Sequence, residues 1–216
     1  MRGPCEIISS LGFAPITGIL QVGANNGQEV PYFLANGVNL ATLVEPLDGP
    51  FAALRARCQD LAGYLTVQVL CGERDGEKFD FYVASNNGES SSMLKPANHL
   101  EDYPWVSFPE VVSMETFTLD RVFAAVQVAR PDIAAGTNML FMDVQGAELK
   151  VLAGATRVLQ TVSYIYTETG AGGGYDGAVE LLDLLNFVRP FRFKIYELES
   201  DKAGWGNALL IKRTDR

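Results

Sequence analysis

The feature that most constrains this chain is an apolar run, Ile19-Leu20-Gln21-Val22, that ends in Gly23-Ala24-Asn25-Asn26-Gly27. Leu43-Val44-Glu45-Pro46 follows about 20 residues later. The pairing predicts a strand, a glycine turn, a helix, and an acidic residue at the tip of a second strand. Such a frame suits a nucleoside, because glycines let a ligand approach the backbone and a carboxylate receives ribose hydroxyls.

The rest of the chain continues the alternation. Apolar runs predict strands at 17–23, 40–45, 65–71, 138–144 and 162–168, a period-two pattern adds 78–84, and 111–117 reads as a further strand. Helical spacing predicts helices at 28–35, 49–61, 147–159 and 179–187, and one opening at Thr118, a plausible cap. Segments 191–198 and 207–212 read as a closing antiparallel pair. Strands alternating with helices predict an α/β sheet protein. Segment 85–109 reads as a long loop of the kind that forms lids and binding loops. Residues 170–177 hold five glycines and predict a mobile loop or tight turn.

A chain of 216 residues suits one domain, 1–216, with residues 1–16 as an N-terminal extension. Net charge is −9 and no Lys/Arg cluster occurs, which argues against a nucleic-acid partner. The three cysteines, Cys5, Cys58 and Cys71, are too scattered for a disulfide framework or a zinc knuckle, and no metal is assigned. Apolar runs reach only about 8 residues, too short to span a bilayer. The N-terminus lacks a signal-peptide core, so the expected location is cytoplasmic.

Three strand ends carry polar chemistry: the Gly23–Gly27 turn, Glu45, and Asp143-Val144-Gln145-Gly146. In an open parallel sheet, ligands bind beyond the carboxyl ends of the strands, so these segments should converge. Together they resemble the FkbM-type S-adenosylmethionine-dependent methyltransferases. The resemblance rests on the glycine turn, Val44-Glu45-Pro46, Ser90-Ser91-Ser92-Met93-Leu94, Thr118-Leu119-Asp120 and, most specifically, Asp143-Val144-Gln145-Gly146-Ala147-Glu148 with Val151-Leu152-Ala153-Gly154-Ala155. It runs from about Ile19 to about Arg213. It implies a Rossmann-like class I methyltransferase fold: a seven-stranded, mostly parallel sheet flanked by helices, with an antiparallel C-terminal hairpin.

The same resemblance implies S-adenosyl-L-methionine as cofactor. Gln21, Gly23, Ala24, Asn25, Gly27, Glu45, Pro46, Cys71 and Asp143 are its expected contacts. Asp143, Glu168 and His99 are the candidate catalytic residues. Two positions depart from the pattern: Gln21 stands where many methyltransferases have Asp, and Gln145 where the family usually has Glu. Asp143 also reads as a helix cap, and Glu148 as a solvent-facing partner of Lys150 or Arg157. Tyr103, Trp105 and Trp205 are candidates for an acceptor pocket.

The expected reaction is O-methylation of a hydroxyl on a sugar, glycan or natural product. N-methylation and a catalytically degenerate scaffold are the alternatives. A nicotinamide oxidoreductase fits less well, because the third glycine of its fingerprint and any Tyr-x-x-x-Lys are missing. The expected partner is a small-molecule or glycan acceptor. The oligomeric state is open, a homodimer included.

Overall fold

A computed structural model describes residues 3–170, 173–200 and 205–213. Gly172 of the glycine-rich loop, Gly204 before Trp205, and the chain ends within 1–216 lie outside the described residues. In chain order the elements are α1 Pro4–Ser10, β1 Ile19–Val22, α2 Val30–Ala35, β2 Ala41–Val44, α3 Asp48–Cys58, β3 Tyr64–Val67, β4 Leu70–Cys71, β5 Lys78–Val83, α4 His99–Asp102, β6 Glu110–Phe117 and α5 Leu119–Ala129. They continue with α6 Pro131–Gly136, β7 Met139–Met142, α7 Glu148–Ala153, α8 Val158–Thr161, β8 Tyr164–Thr169, α9 Leu181–Val188, β9 Phe193–Ser200 and β10 Gly206–Lys212.

Seven strands form one sheet in the order β3-β2-β1-β7-β8-β10-β9. β3, β2, β1, β7 and β8 run parallel, and β10 pairs antiparallel with both β8 and β9. This is the expected seven-stranded, mostly parallel sheet with its closing hairpin. Successive strand residues point to opposite faces. Leu20 and Val22 therefore pack with α5, α7, α8 and α9 residues such as Val126, Val151, Leu159 and Val188. Ile19 points the other way, into a core with Ile7 and Ile8 of α1, Phe33 of α2 and Leu54 of α3. The expected N-terminal extension thus contributes a helix that buries Pro4, Ile7 and Ile8. Both faces of the central strands are covered, which is why those strands read as largely apolar runs.

Two segments divide where the sequence reads as continuous. Segment 65–71 is not one strand. β3 stays in the main sheet, while β4 pairs with β6 in a second, three-stranded sheet ordered β4-β6-β5. At the break, Gln68 donates to Pro46 O and Asp48 Oδ1 rather than extending the strand. Segment 147–159 is two helices, because Gly154 lies against the backbone of Gly72: a β-carbon at 154 would sit 2.2 Å from Gly72 O. Thr118 does cap α5, its hydroxyl accepting from Arg121 N at 3.3 Å.

β1 pairs with β2 on one side and β7 on the other, so the chain reverses its direction of winding between them. A crevice opens beyond the carboxyl ends of strands at such a point.

Candidate active site

A cavity of about 400 Å³ occupies that crevice. Gly23, Asn25, Glu45, Pro46, Cys71 and Asp143 of the expected cofactor contacts line it, as do the catalytic candidates His99 and Glu168. Gln21, Ala24 and Gly27 do not line it. Gln21 is buried on β1 and donates its amide to Glu29 Oε2 at 3.0 Å. Ala24 is fully buried, and Gly27 packs against Leu54 and Arg57. These three shape the turn from behind.

The turn is built around Gly23. Its φ is +81°, and a β-carbon there would sit 1.8 Å from the Asp143 carbonyl oxygen. Only glycine permits both the left-handed backbone and the close approach of β1 to the end of β7. Asn25 also takes positive φ, at 43°, and its backbone N–H donates to Glu45 Oε2 at 2.9 Å. Leu47 N–H donates to Glu45 Oε1 at 2.9 Å. Each Glu45 oxygen thus has one backbone donor, which fixes the carboxylate while leaving lone pairs for a ligand. Burial is the main influence on its acidity and raises its pKa to about 7, opposed by those two N–H bonds and reinforced by Asp143.

The second polar group lies beyond β7 and β8. Gln145, in a left-handed conformation at φ 53°, donates from one amide nitrogen to Asp143 Oδ1 at 2.7 Å and to Glu168 Oε2 at 2.8 Å. Its amide oxygen lies 3.0 Å from the Tyr175 hydroxyl, which also donates to Ser90 O at 2.7 Å. Burial pushes the Asp143 carboxyl up, the Gln145 hydrogen bond pulls it back, and Glu29 adds to the rise. Asp143 caps no helix: α7 begins at Glu148 after Ala147, with no side-chain cap. Glu148 is not a surface partner of Lys150 or Arg157. It is buried, and its Oε1 accepts the N–H groups of Val144 and Gly146, each at 3.3 Å. Burial raises its pKa to about 7.

Segment 85–109 forms the other wall. It contains α4, and it is tied to the glycine-rich loop by Ala97 N to Gly174 O at 2.9 Å and Asn98 N to Gly173 O at 2.8 Å. Asn25 Nδ2 ties it to the first turn through Asn87 O at 3.1 Å. His99 is buried among Tyr103, Phe108 and Tyr175, with ring centres 4.9, 5.6 and 5.3 Å away. Burial lowers its pKa, and its Nδ1 has no hydrogen-bond partner. Ser90 and Ser91 line the cavity, whereas Ser92 turns away to donate to Gln145 O at 2.8 Å. Tyr103, Trp105 and Trp205 stand at the cavity as expected, with Trp105 exposed.

Tyr175 and Glu29 were invisible as site residues from sequence. Their only signals are a lone aromatic among glycines and a carboxylate two residues past the glycine turn. Among the described residues no group of three or more His, Cys, Asp or Glu is arranged to hold a metal ion. No helix among them is long and apolar enough to cross a membrane.

The cavity combines a fixed carboxylate at a strand tip, a glycine turn and an apolar wall of Leu70, Cys71 and Phe81, a donor set that fits a nucleoside cofactor. Comparisons with known proteins agree with that chemistry. Residues 21–195 match the methyltransferase FkbM domain family. The chain is 32% identical over 194 residues to the 2-O-methyltransferase NoeI of Sinorhizobium fredii (strain NBRC 101917 / NGR234), covering 85% of this chain and 76% of that protein. Among solved structures, TrmK of M. capricolum in complex with S-adenosyl-homocysteine is similar with a TM-score of 0.51 at 10% identity, covering 98% of this chain and 69% of that one. An uncharacterised protein from Listeria monocytogenes serotype 4b is similar with a TM-score of 0.52 at 10% identity, covering 100% and 69%. At that identity the two structures speak for the fold alone. The family match covers most of the chain, and the chain belongs to the FkbM methyltransferases, enzymes that use S-adenosylmethionine.

Proposed function

We propose that this methyltransferase acts on oxygen, methylating a hydroxyl of a sugar, glycan or related natural product, with Asp143 and Glu168 receiving the hydroxyl proton. The observation that carries the reading is the carboxylate pair bridged by Gln145 on the wall of the cavity that also holds Glu45. A hydroxyl is a poor nucleophile near neutrality until a base takes its proton. The relative named as a 2-O-methyltransferase supports oxygen as the acceptor atom. Aromatic side chains at the cavity, Tyr103, Trp105 and Trp205, offer faces on which a sugar ring packs.

In this reading Gly23, Asn25, Glu45, Pro46 and Cys71 hold the cofactor, and Gln21, Ala24 and Gly27 support the turn that presents them. When bound, S-adenosylmethionine supplies an electrophilic methyl group on a sulfonium. Glu45 accepts the two ribose hydroxyls with the lone pairs that Asn25 and Leu47 leave open. His99, neutral and with a vacant Nδ1, orients the acceptor. Segment 85–109 closes over the acceptor and excludes water. Holding two reactants in line is worth up to roughly 7–11 kcal/mol in ideal cases.

The test is methyl transfer from S-adenosylmethionine to a panel of hydroxylated sugars, with amines in parallel. Transfer to hydroxyls, lost in Asp143→Asn while S-adenosylhomocysteine affinity stays within about threefold, supports the reading. Transfer to amines alone replaces it with N-methylation. Tight cofactor binding without any turnover favours a scaffold.

A further inference from the structure

The Asp143–Glu168 pair sits in unusual electrostatic company. Two carboxylate oxygens 2.7 and 2.8 Å from one amide nitrogen are close neighbours, and burial of the Asp143 carboxyl pushes its pKa up. Each negative charge this close raises the cost of ionising the other, so the pair holds on to one proton more firmly than either carboxyl would alone. The groups facing the pair come from every surrounding element: Glu29 before α2, Glu45 after β2, Glu89 in segment 85–109, Glu148 on α7, Tyr175 on the glycine-rich loop and neutral His99 on α4. No Lys or Arg lines the cavity among the described residues. Gln145 contributes two N–H dipoles but no charge, and Tyr175 holds the amide so that those donors point at the carboxyls.

We propose that Asp143 and Glu168 act as one ionisable pair that keeps a single shared proton in the cofactor-free enzyme and releases it when a sulfonium cation enters the cavity, so that cofactor binding itself creates the base. The inference rests on the site assignment proposed above.

The charges balance at each stage. Entry of the cation expels the shared proton to solvent and leaves the pair doubly ionised beside one positive charge. Transfer then breaks the sulfur–methyl bond and forms an oxygen–methyl bond, while the acceptor proton moves from that oxygen to the pair. The sulfonium becomes an uncharged thioether as the pair returns to one negative charge. Net charge inside the cavity is therefore the same before and after transfer. The buried site need not accommodate a change in charge, which a low-dielectric environment resists. Interacting carboxyls titrate as a pair, so the proton belongs to neither residue alone.

The test is calorimetric titration at pH 7 with S-adenosylmethionine and with S-adenosylhomocysteine, each in phosphate and in Tris. The dependence of heat on buffer ionisation enthalpy gives the protons released. The expected result is that S-adenosylmethionine releases more protons than S-adenosylhomocysteine, by up to about one. The excess should fall by the pair's proton in Asp143→Asn and in Glu168→Gln and stay at the wild-type value in Glu110→Gln, an exposed carboxylate outside the cavity. Both ligands carry their own titrations into every variant, so only the proton of the pair is lost. Should one variant not fold, the other decides. Equal proton counts in the wild-type protein overturn the inference while leaving the cofactor site intact. An excess undiminished in both variants assigns the proton elsewhere and also overturns it. No heat with either ligand removes the site assignment and this inference together.

Discussion

The acidity of Glu45 makes cofactor affinity a reporter of the site. Its pKa is raised from 4.5 to about 7 by burial. Ribose hydroxyls donate hydrogen bonds, so they favour the ionised carboxylate over the protonated form. The ionised fraction grows with pH, and affinity should grow with it. For a single group titrating near 7, the apparent Kd should fall about tenfold between pH 6 and pH 8, or about 1.4 kcal/mol, with most of the gain complete by pH 8. The complex should release protons at pH 6 and almost none at pH 8. S-adenosylhomocysteine is the right probe, since it carries the ribose without the sulfonium charge. Glu45→Gln should bind more weakly and lose the pH dependence. An amide there must also point its N–H groups at the Asn25 or Leu47 N–H, so thermal unfolding should accompany the titration. A Kd that stays flat from pH 6 to pH 8 in the wild-type protein refutes the reasoning.

Other outcomes test the supporting structure. Gly23→Ala forces a β-carbon against the Asp143 carbonyl at positive φ, and should cost on the order of 3 kcal/mol or more in chemical denaturation and abolish cofactor binding. Glu148 has a folded pKa raised from 4.5 to about 7, so its burial is tolerated while it is protonated and opposes folding progressively as pH rises through that window. Glu148→Gln should therefore leave stability nearly unchanged near pH 4 and raise it by up to roughly 3 kcal/mol at pH 8; an equal effect at both pH values contradicts the burial argument. Tyr175→Phe removes the hydroxyl shared by Ser90 and Gln145 and should cost about 1–3 kcal/mol, with faster amide hydrogen exchange in residues 95–98. Trp105→Ala, at an exposed position, should leave stability within about 0.5 kcal/mol and raise KM for the acceptor; an unchanged KM removes Trp105 from the acceptor wall.

The central sheet was legible because burial on both faces leaves the plainest pattern a sequence can carry. β1, β2, β7 and β8 stand within a few residues of their apolar runs, and the polar residues at their tips meet as expected. The legible part stopped where backbone meets backbone across long sequence distance. Nothing in Leu65–Cys71 marks the point at which the chain leaves one sheet for another, because both halves are apolar and the exit depends on the bonds of Gln68 to the loop after β2. Gly154 carries a stop signal, but its cause is Gly72, far away in sequence. Glu148 looked solvated because it falls in the first turn of an amphipathic segment that also carries Lys150 and Arg157. Its actual partners are N–H groups two and four residues before it. Gln21 looked like a cofactor ligand because of its place on β1, and only the fold reveals that Glu29 claims its amide.

The small apolar cluster of Leu47, Leu70, Phe81, Met93, Leu94, Ala147 and Tyr175 is separate from the two cores that sandwich the main sheet. It packs the second sheet and segment 85–109 over the crevice, and those elements enter the chain between β3 and α5. The cover meets the main core only along one seam, at Cys71, Phe117 and Val144, so mutations away from that seam disturb the sheet that carries Glu45 and Asp143 least. For evolution, such a division lets one nucleoside-binding platform explore new acceptors at little risk to its own folding.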